Sequence, residues 1–333
     1  MLPDMDAAVA DEVHFPRTAD GWRLALHRHR ARAGGSAAPV ILCGGYGCNR
    51  HFLDYDERYS LARFLARSGF DAWVLELRGR GLAQRAAGGS GSRSWTFDDL
   101  ATHDVPAAIA HVAENTGRPV TWLGHSMGGM LLYAYAGSLG GGGATLKAGV
   151  TIASPIAFPQ MVSTLVSQIG TVLLQLPFSD TIHQRLVLGM LWGLLGRSTA
   201  LTVGMNPDNI DHSTVGRALR LALENVPRLK LQQLARWASE GVFCSADGRI
   251  DYRAGLARLR LPLLIMTGSA DRLATPEAVG GAREYLVAAE TTYVELGRAQ
   301  GHAVDYGQVD VVLGQAAPAE VFPLIADWLR EHQ

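Results

Sequence analysis

One serine stands among neighbours that could make it a nucleophile. In Gly124-His125-Ser126-Met127-Gly128, a glycine lies two positions to either side of Ser126. The apolar run Val120-Thr121-Trp122-Leu123 precedes it, and a helical pattern begins near Met127. A G-x-S-x-G spacing between strand and helix predicts a sharp turn that exposes the hydroxyl, at a helix N-terminus that favours negative charge. The corresponding chemistry is attack on an acyl carbon.

Other reactive side chains are weaker candidates. His125 adjoins the serine and points elsewhere at turns of this kind. His103, His111, His183 and His212 fall in helical stretches and read as structural or solvent-facing. His27 and His29 share one face of an expected strand and lack a third ligand, so they read as an exposed polar face. Cys43, Cys48 and Cys244 match neither a disulfide framework nor a zinc pattern. Arg78-Gly79-Arg80-Gly81 lacks the Gly-Lys-Ser/Thr of a phosphate loop. Asp98, Asp99 and Asp104 read as serving a helix start or its solvated face rather than as a glycosidase pair. No cofactor and no metal is expected.

The elements that must position Ser126 alternate. Strands are expected within 13–30, with a turn at Asp20-Gly21, and at 39–43, 72–77, 120–123, 148–153, 261–267 and 292–296. Helices are expected at 57–68, 97–114, from 127 to the glycines at 140–143, and at about 318–331, with Pro106 shifting or kinking the second of them. This rhythm predicts a mostly parallel sheet with helices on both faces. Residues 157–255 break it. Between Ala157 and Asn206 the formal charges are Asp180, Arg185 and Arg197, and Leu186 to Gly196 is apolar on every side. The chain therefore divides into core (1–156), helical insertion (157–255) and core (256–333), the insertion being a buried helical layer or a cap whose apolar face lines a pocket for a hydrophobic ligand. Low-complexity sequence is confined to two short tracts, Ala86 to Ser92 and Gly140 to Gly143.

Composition narrows the function classes. Hydrophobic residues make up 48% of the 333 and charged ones 18%, which excludes a disordered chain. Lys and Arg number 30 against 31 Asp and Glu, so no basic excess would drive nucleic-acid binding. No apolar run reaches the roughly 18 residues of a membrane span. The acidic N-terminus has no apolar signal segment, so the cytoplasm is the expected location.

With these motifs in place, the chain resembles the α/β-hydrolase family over nearly its whole length, and its C-terminal part is similar to the acid-lipase-like branch. The resemblance implies a capped serine esterase or lipase acting on an ester with a hydrophobic acyl or aromatic group. It implies Ser126 as nucleophile and Asp271, in Gly268-Ser269-Ala270-Asp271-Arg272, as the acid that orients the base. It also implies an oxyanion hole from the backbone N–H groups of Tyr46, in Gly44-Gly45-Tyr46-Gly47, and Met127. The family often has histidine where Gly44 stands. The base position departs further. The spacing to Asp310, Pro318 and Val321 puts Gln308 where that branch has histidine, and glutamine takes no proton from serine near neutral pH. Three readings stay open: His302, six residues earlier, is a relocated base; position 308 is the base site and Gln308 inactivates it; or the chemistry needs no histidine. The alternatives to ester hydrolysis are acyl transfer, cyclisation or elimination on the same fold, and ligand binding without turnover. Serine at the turn argues against a dehalogenase or epoxide hydrolase, which would use aspartate, and against a polyester synthase, which would use cysteine.

Overall fold

Eight strands form one sheet: Glu12–His14 (β1), Ala25–His29 (β2), Pro39–Cys43 (β3), Asp71–Glu76 (β4), Val120–His125 (β5), Leu146–Ile152 (β6), Leu263–Gly268 (β7) and Thr291–Leu296 (β8). Their order is β1-β2-β4-β3-β5-β6-β7-β8. The strand β2 runs antiparallel to β1 and β4, and every other pairing is parallel. This computed structural model describes residues 10–32, 38–85, 94–141, 143–158, 180–195 and 204–332. The tract Ala86 to Ser92, and residues 159–179 and 196–203 of the expected insertion, lie outside the described residues.

The strands β3, β4, β5 and β7 are buried along their whole length, as apolar runs covered on both faces must be. Each buried Val, Leu or Ile contributes about 1.5–3 kcal/mol relative to exposure. The order reverses at β3, which lies between β4 and β5. In such sheets ligands bind beyond the carboxyl ends of the strands at the reversal. That end carries the loops after β3 and β5, which hold Gly44–Gly47 and Ser126.

The helices follow the expected rhythm. Leu61–Arg67 (α1) starts at Ser60, whose side chain accepts from Arg63 N–H. Val105–Thr116 (α2) has Pro106 in its first turn, where no N–H is required, and the residues before it, Leu100–Asp104, form a π-helical turn. Met127–Ser138 (α3) leaves the reactive turn, and Ala317–Glu331 closes the chain. Within residues 157–255, Gln184–Leu195 (α4) packs on His212–Leu221 (α5), followed by Arg228–Glu240 (α6). Among the described residues no helix is long and apolar enough to cross a membrane.

The two histidines of β2 differ from expectation. His27 and His29 are buried, not exposed, because each meets an acid: His27 Nε2 lies 3.1 Å from Glu76, and His29 Nε2 lies 3.1 Å from Asp54. Asp54 also accepts from Ser60 Oγ at 2.7 Å and Arg63 Nε at 3.2 Å. Burial pushes the Asp54 carboxyl up, but the bonds from His29 and Ser60 hold it below its ordinary value. A polar strand face can thus be an interior one when each group finds a partner. Arg78 and Asp104 are likewise joined in the interior, at 2.7 Å, while Asp20 takes the other side of the guanidinium. This pairing and the bonds of Asp98 to Gln233 and Tyr252 leave both outside any carboxylate pair.

Candidate active site

The strand β5 ends at His125, and the chain turns at Ser126 with φ 52° and ψ −119°. A positive φ on a non-glycine residue stores of order 1–3 kcal/mol of strain. Ser126 N–H donates to Ile152 O at 2.8 Å, which ties the turn to β6. Gly128 is required by contact: a Cβ there would lie 2.2 Å from Cys43 O, at the end of β3. The glycine two residues after the nucleophile therefore lets α3 rise close beside the sheet. Met127 N–H is the first of α3 and has no intrahelical partner.

The loop after β3 closes on the same point. A Cβ on Gly45 would sit 3.1 Å from both Ser126 Cβ and His125 Nδ1, so the backbone at Gly45 runs close beside the nucleophile. Tyr46 lies under Lys230, whose Nζ is 4.7 Å from the ring centre. Burial drives the Lys230 ammonium well below its usual value. The carbonyls of Gly45 and Cys48 both accept from Arg80 Nη1, at 3.0 and 2.8 Å, which fixes the loop from below.

Gln308 is the hydrogen-bond partner of Ser126. Its amide lies 2.7 Å from Ser126 Oγ. On its other side, at 2.6 Å, is Asp271 Oδ2. The orientation of an amide is assigned from its neighbours. With Asp271 ionised, Nε2 donates to the carboxylate and Oε1 accepts the serine O–H. The reverse orientation, in which Nε2 donates to Ser126 Oγ and reaches Ala153 O at 3.4 Å, faces Oε1 to the carboxyl and requires the proton on Asp271. Gln308 thus spans serine and acid.

Asp271 is held by backbone donors, Leu273 N–H at 2.8 Å and Ala274 N–H at 2.9 Å. Burial pushes its carboxyl up to about 7, against the pull of those two N–H groups, and the nearby Asp310 carboxylate adds to the rise. The segment carrying Gln308 is fixed twice. Asp310 accepts from Gly307 N–H at 3.0 Å, Asn206 N–H at 2.8 Å and Asn209 Nδ2 at 2.9 Å. His125 Nε2 donates to Gln308 O at 2.8 Å. Burial lowers the His125 imidazole to about 4, so it is neutral; its buried Nδ1 has no hydrogen-bond partner among the described residues, and its ring packs on Phe52. His125 therefore holds the segment bearing residue 308, which its adjacency to the serine did not suggest.

His302 stands apart. Its Nδ1 lies 3.1 Å from Gly297 O and its ring faces Tyr306, so it closes its own loop and does not line the cavity at Ser126. The expectation of His302 as a relocated base is corrected on that geometry: the structure brings Gln308, not His302, to Ser126.

A cavity of about 330 Å³ opens on Ser126. Gly45, Tyr46, Phe52, His125 and Gln308 line it, together with Leu188, Met205, Val215, Ala218, Leu219, Ala222 and Leu223 from residues 157–255. Sequence reading placed an apolar wall in the insertion without naming these positions, since helix periodicity does not say which face meets the core. The cysteines are free and buried, and among the described residues no group of three or more His, Cys, Asp or Glu could hold a metal.

The family model for serine aminopeptidase, S33, matches residues 36–301. The chain is 24% identical to lipase member N of Mus musculus, over 95% of this chain and 86% of that one. It is 29% identical to triacylglycerol lipase 2 of Arabidopsis thaliana over 48% of this chain, which spans only 40% of that protein's length. Among solved structures, a thermophilic esterase from Thermogutta terrifontis superposes with a TM-score of 0.66 at 16% identity, covering 97% of this chain and all of that one.

Proposed function

We propose that this chain, which belongs to the serine aminopeptidase S33 family of α/β hydrolases, is a carboxylic ester hydrolase for a substrate with a hydrophobic acyl group, its turnover held low by Gln308. Ser126 Oγ attacks the ester carbonyl, and the oxygen that becomes negative is received by the Tyr46 and Met127 N–H groups. With no base at position 308 the serine proton passes to solvent, and the C–O bond breaks with the leaving oxygen departing as an anion that takes its proton from solvent. Water then releases the acyl group from the serine as a carboxylate. Asp271 is the acid of this site and position 308 its base position. The observation that carries the reading is the Gln308 side chain spanning Ser126 Oγ and Asp271 at 2.7 and 2.6 Å. An amide there cannot take the serine proton. What remains is catalysis by the oxyanion hole and binding alone, worth roughly 10³–10⁴ over water. The same observation favours a second reading, a protein that holds its ester without turning it over.

The apolar wall supplied by residues 188–223 would act as the acyl site. Each methylene buried there is worth about 0.8 kcal/mol. Across p-nitrophenyl esters, with Ser126→Ala as the blank, kcat/KM is expected to rise several-fold from acetate to medium chains. A steady preference for acetate would contradict the acyl pocket. Activity equal to that of Ser126→Ala at every length would favour binding without turnover.

A further inference from the structure

The pair α4 and α5 has a second side. Inward, Leu188 and Leu219 line the cavity at Ser126; outward, Leu219 also lines an open groove of about 470 Å³. Leu186 and Met190, four residues apart on one face of α4, form that groove's apolar floor and are 62% and 58% exposed. Arg185 and Arg220 also line it, and among the described residues no carboxylate does. Large apolar side chains left in water beside two cations suit a ligand with an apolar tail and an anionic head.

We propose that this outer groove binds a medium-chain carboxylate, with its head on Arg185 and Arg220 and its tail along Leu186 and Met190. The charge complementarity decides between occupants: a neutral acyl chain would leave both guanidinium groups unused, and a small anion would leave the apolar floor bare. In so far as it rests on the proposed ester hydrolysis, the ligand is the class of anion that such a reaction releases, held one side chain away from the cavity in which it forms.

The test is calorimetric titration of the full chain with decanoate below its micelle concentration, and it needs no turnover. Saturable binding is expected, weakened about tenfold in Arg185→Gln/Arg220→Gln, since each exposed ion pair is worth up to about 1 kcal/mol. Met190→Gln should weaken it several-fold, and 1-decanol should bind less tightly than decanoate. Among the described residues no arginine lines the cavity at Ser126, so decanoate affinity unchanged in the double variant would place the ligand away from the groove and overturn the proposal. Arginine-dependent binding to phosphatidylglycerol vesicles without decanoate binding would overturn it in favour of a lipid surface. Ester turnover no faster than that of Ser126→Ala at every chain length, with intact decanoate binding, would sink the hydrolase reading and leave this one standing.

Discussion

Gln308→His is expected to raise kcat on p-nitrophenyl butanoate by about 10⁴ or more. An imidazole at this position would lie between Ser126 Oγ and Asp271, where the amide already reaches both. The backbone needs no rearrangement, because Asp310 and His125 hold the segment and neither contact involves the side chain of residue 308. Loss of the histidine from a Ser-His-Asp site costs up to roughly 10⁶ in kcat, so its return leaves a wide margin. A gain below tenfold in a folded variant would mean that Ser126 is not placed for attack and would favour the binding reading. His302→Ala in the chain as it stands should leave the rate unchanged.

Asp271→Asn is expected to act in opposite directions in two backgrounds. Combined with Gln308→His, it should lower kcat by roughly 10⁴, because an amide at 271 would hold the imidazole in the wrong tautomer. With Gln308 retained, it should stabilise the protein. The Asp271 carboxyl is raised by burial to about 7, above the roughly 3.9 of an unfolded chain. A raised carboxyl binds its proton more tightly when folded, so stability falls as pH rises from about 4 to 7, and the cost is complete above 7. Asparagine removes that cost. The melting temperature should rise by several degrees at pH 8 and by less at pH 5. An equal shift at both values, or a loss at pH 8, would show that the carboxylate is not strained in the fold.

Much of this architecture was legible because it rests on local patterns. Runs such as Pro39–Cys43 and Val120–His125 are mostly apolar, as a strand buried on both faces must be. The elbow could be read because the glycine at 128 is demanded by a contact with Cys43 at the end of the neighbouring strand. What escaped depends on partners distant in sequence. His27 and His29 look solvated until Glu76 and Asp54, 49 and 25 residues on, are brought beneath them. The choice between His302 and Gln308 turned on six residues of loop, where no periodicity reports direction. Asp310 gave a spacing but not its task, since its three donors come from residues 206, 209 and 307.

The amide between Ser126 and Asp271 has a consequence for which alcohols such a site can release. A histidine collects the proton from serine and returns it to the departing oxygen, so poor and good leaving groups depart at similar cost. Gln308 does neither, and the oxygen must leave as an anion. The rate then follows the acidity of the alcohol: a phenolate can depart, whereas an alkoxide from glycerol or ethanol cannot do so at a useful rate. On the proposed reading, one amide in place of an imidazole would convert a general cleaver of esters into a filter for activated ones, with the cavity, the elbow and the proposed oxyanion donors all left in place.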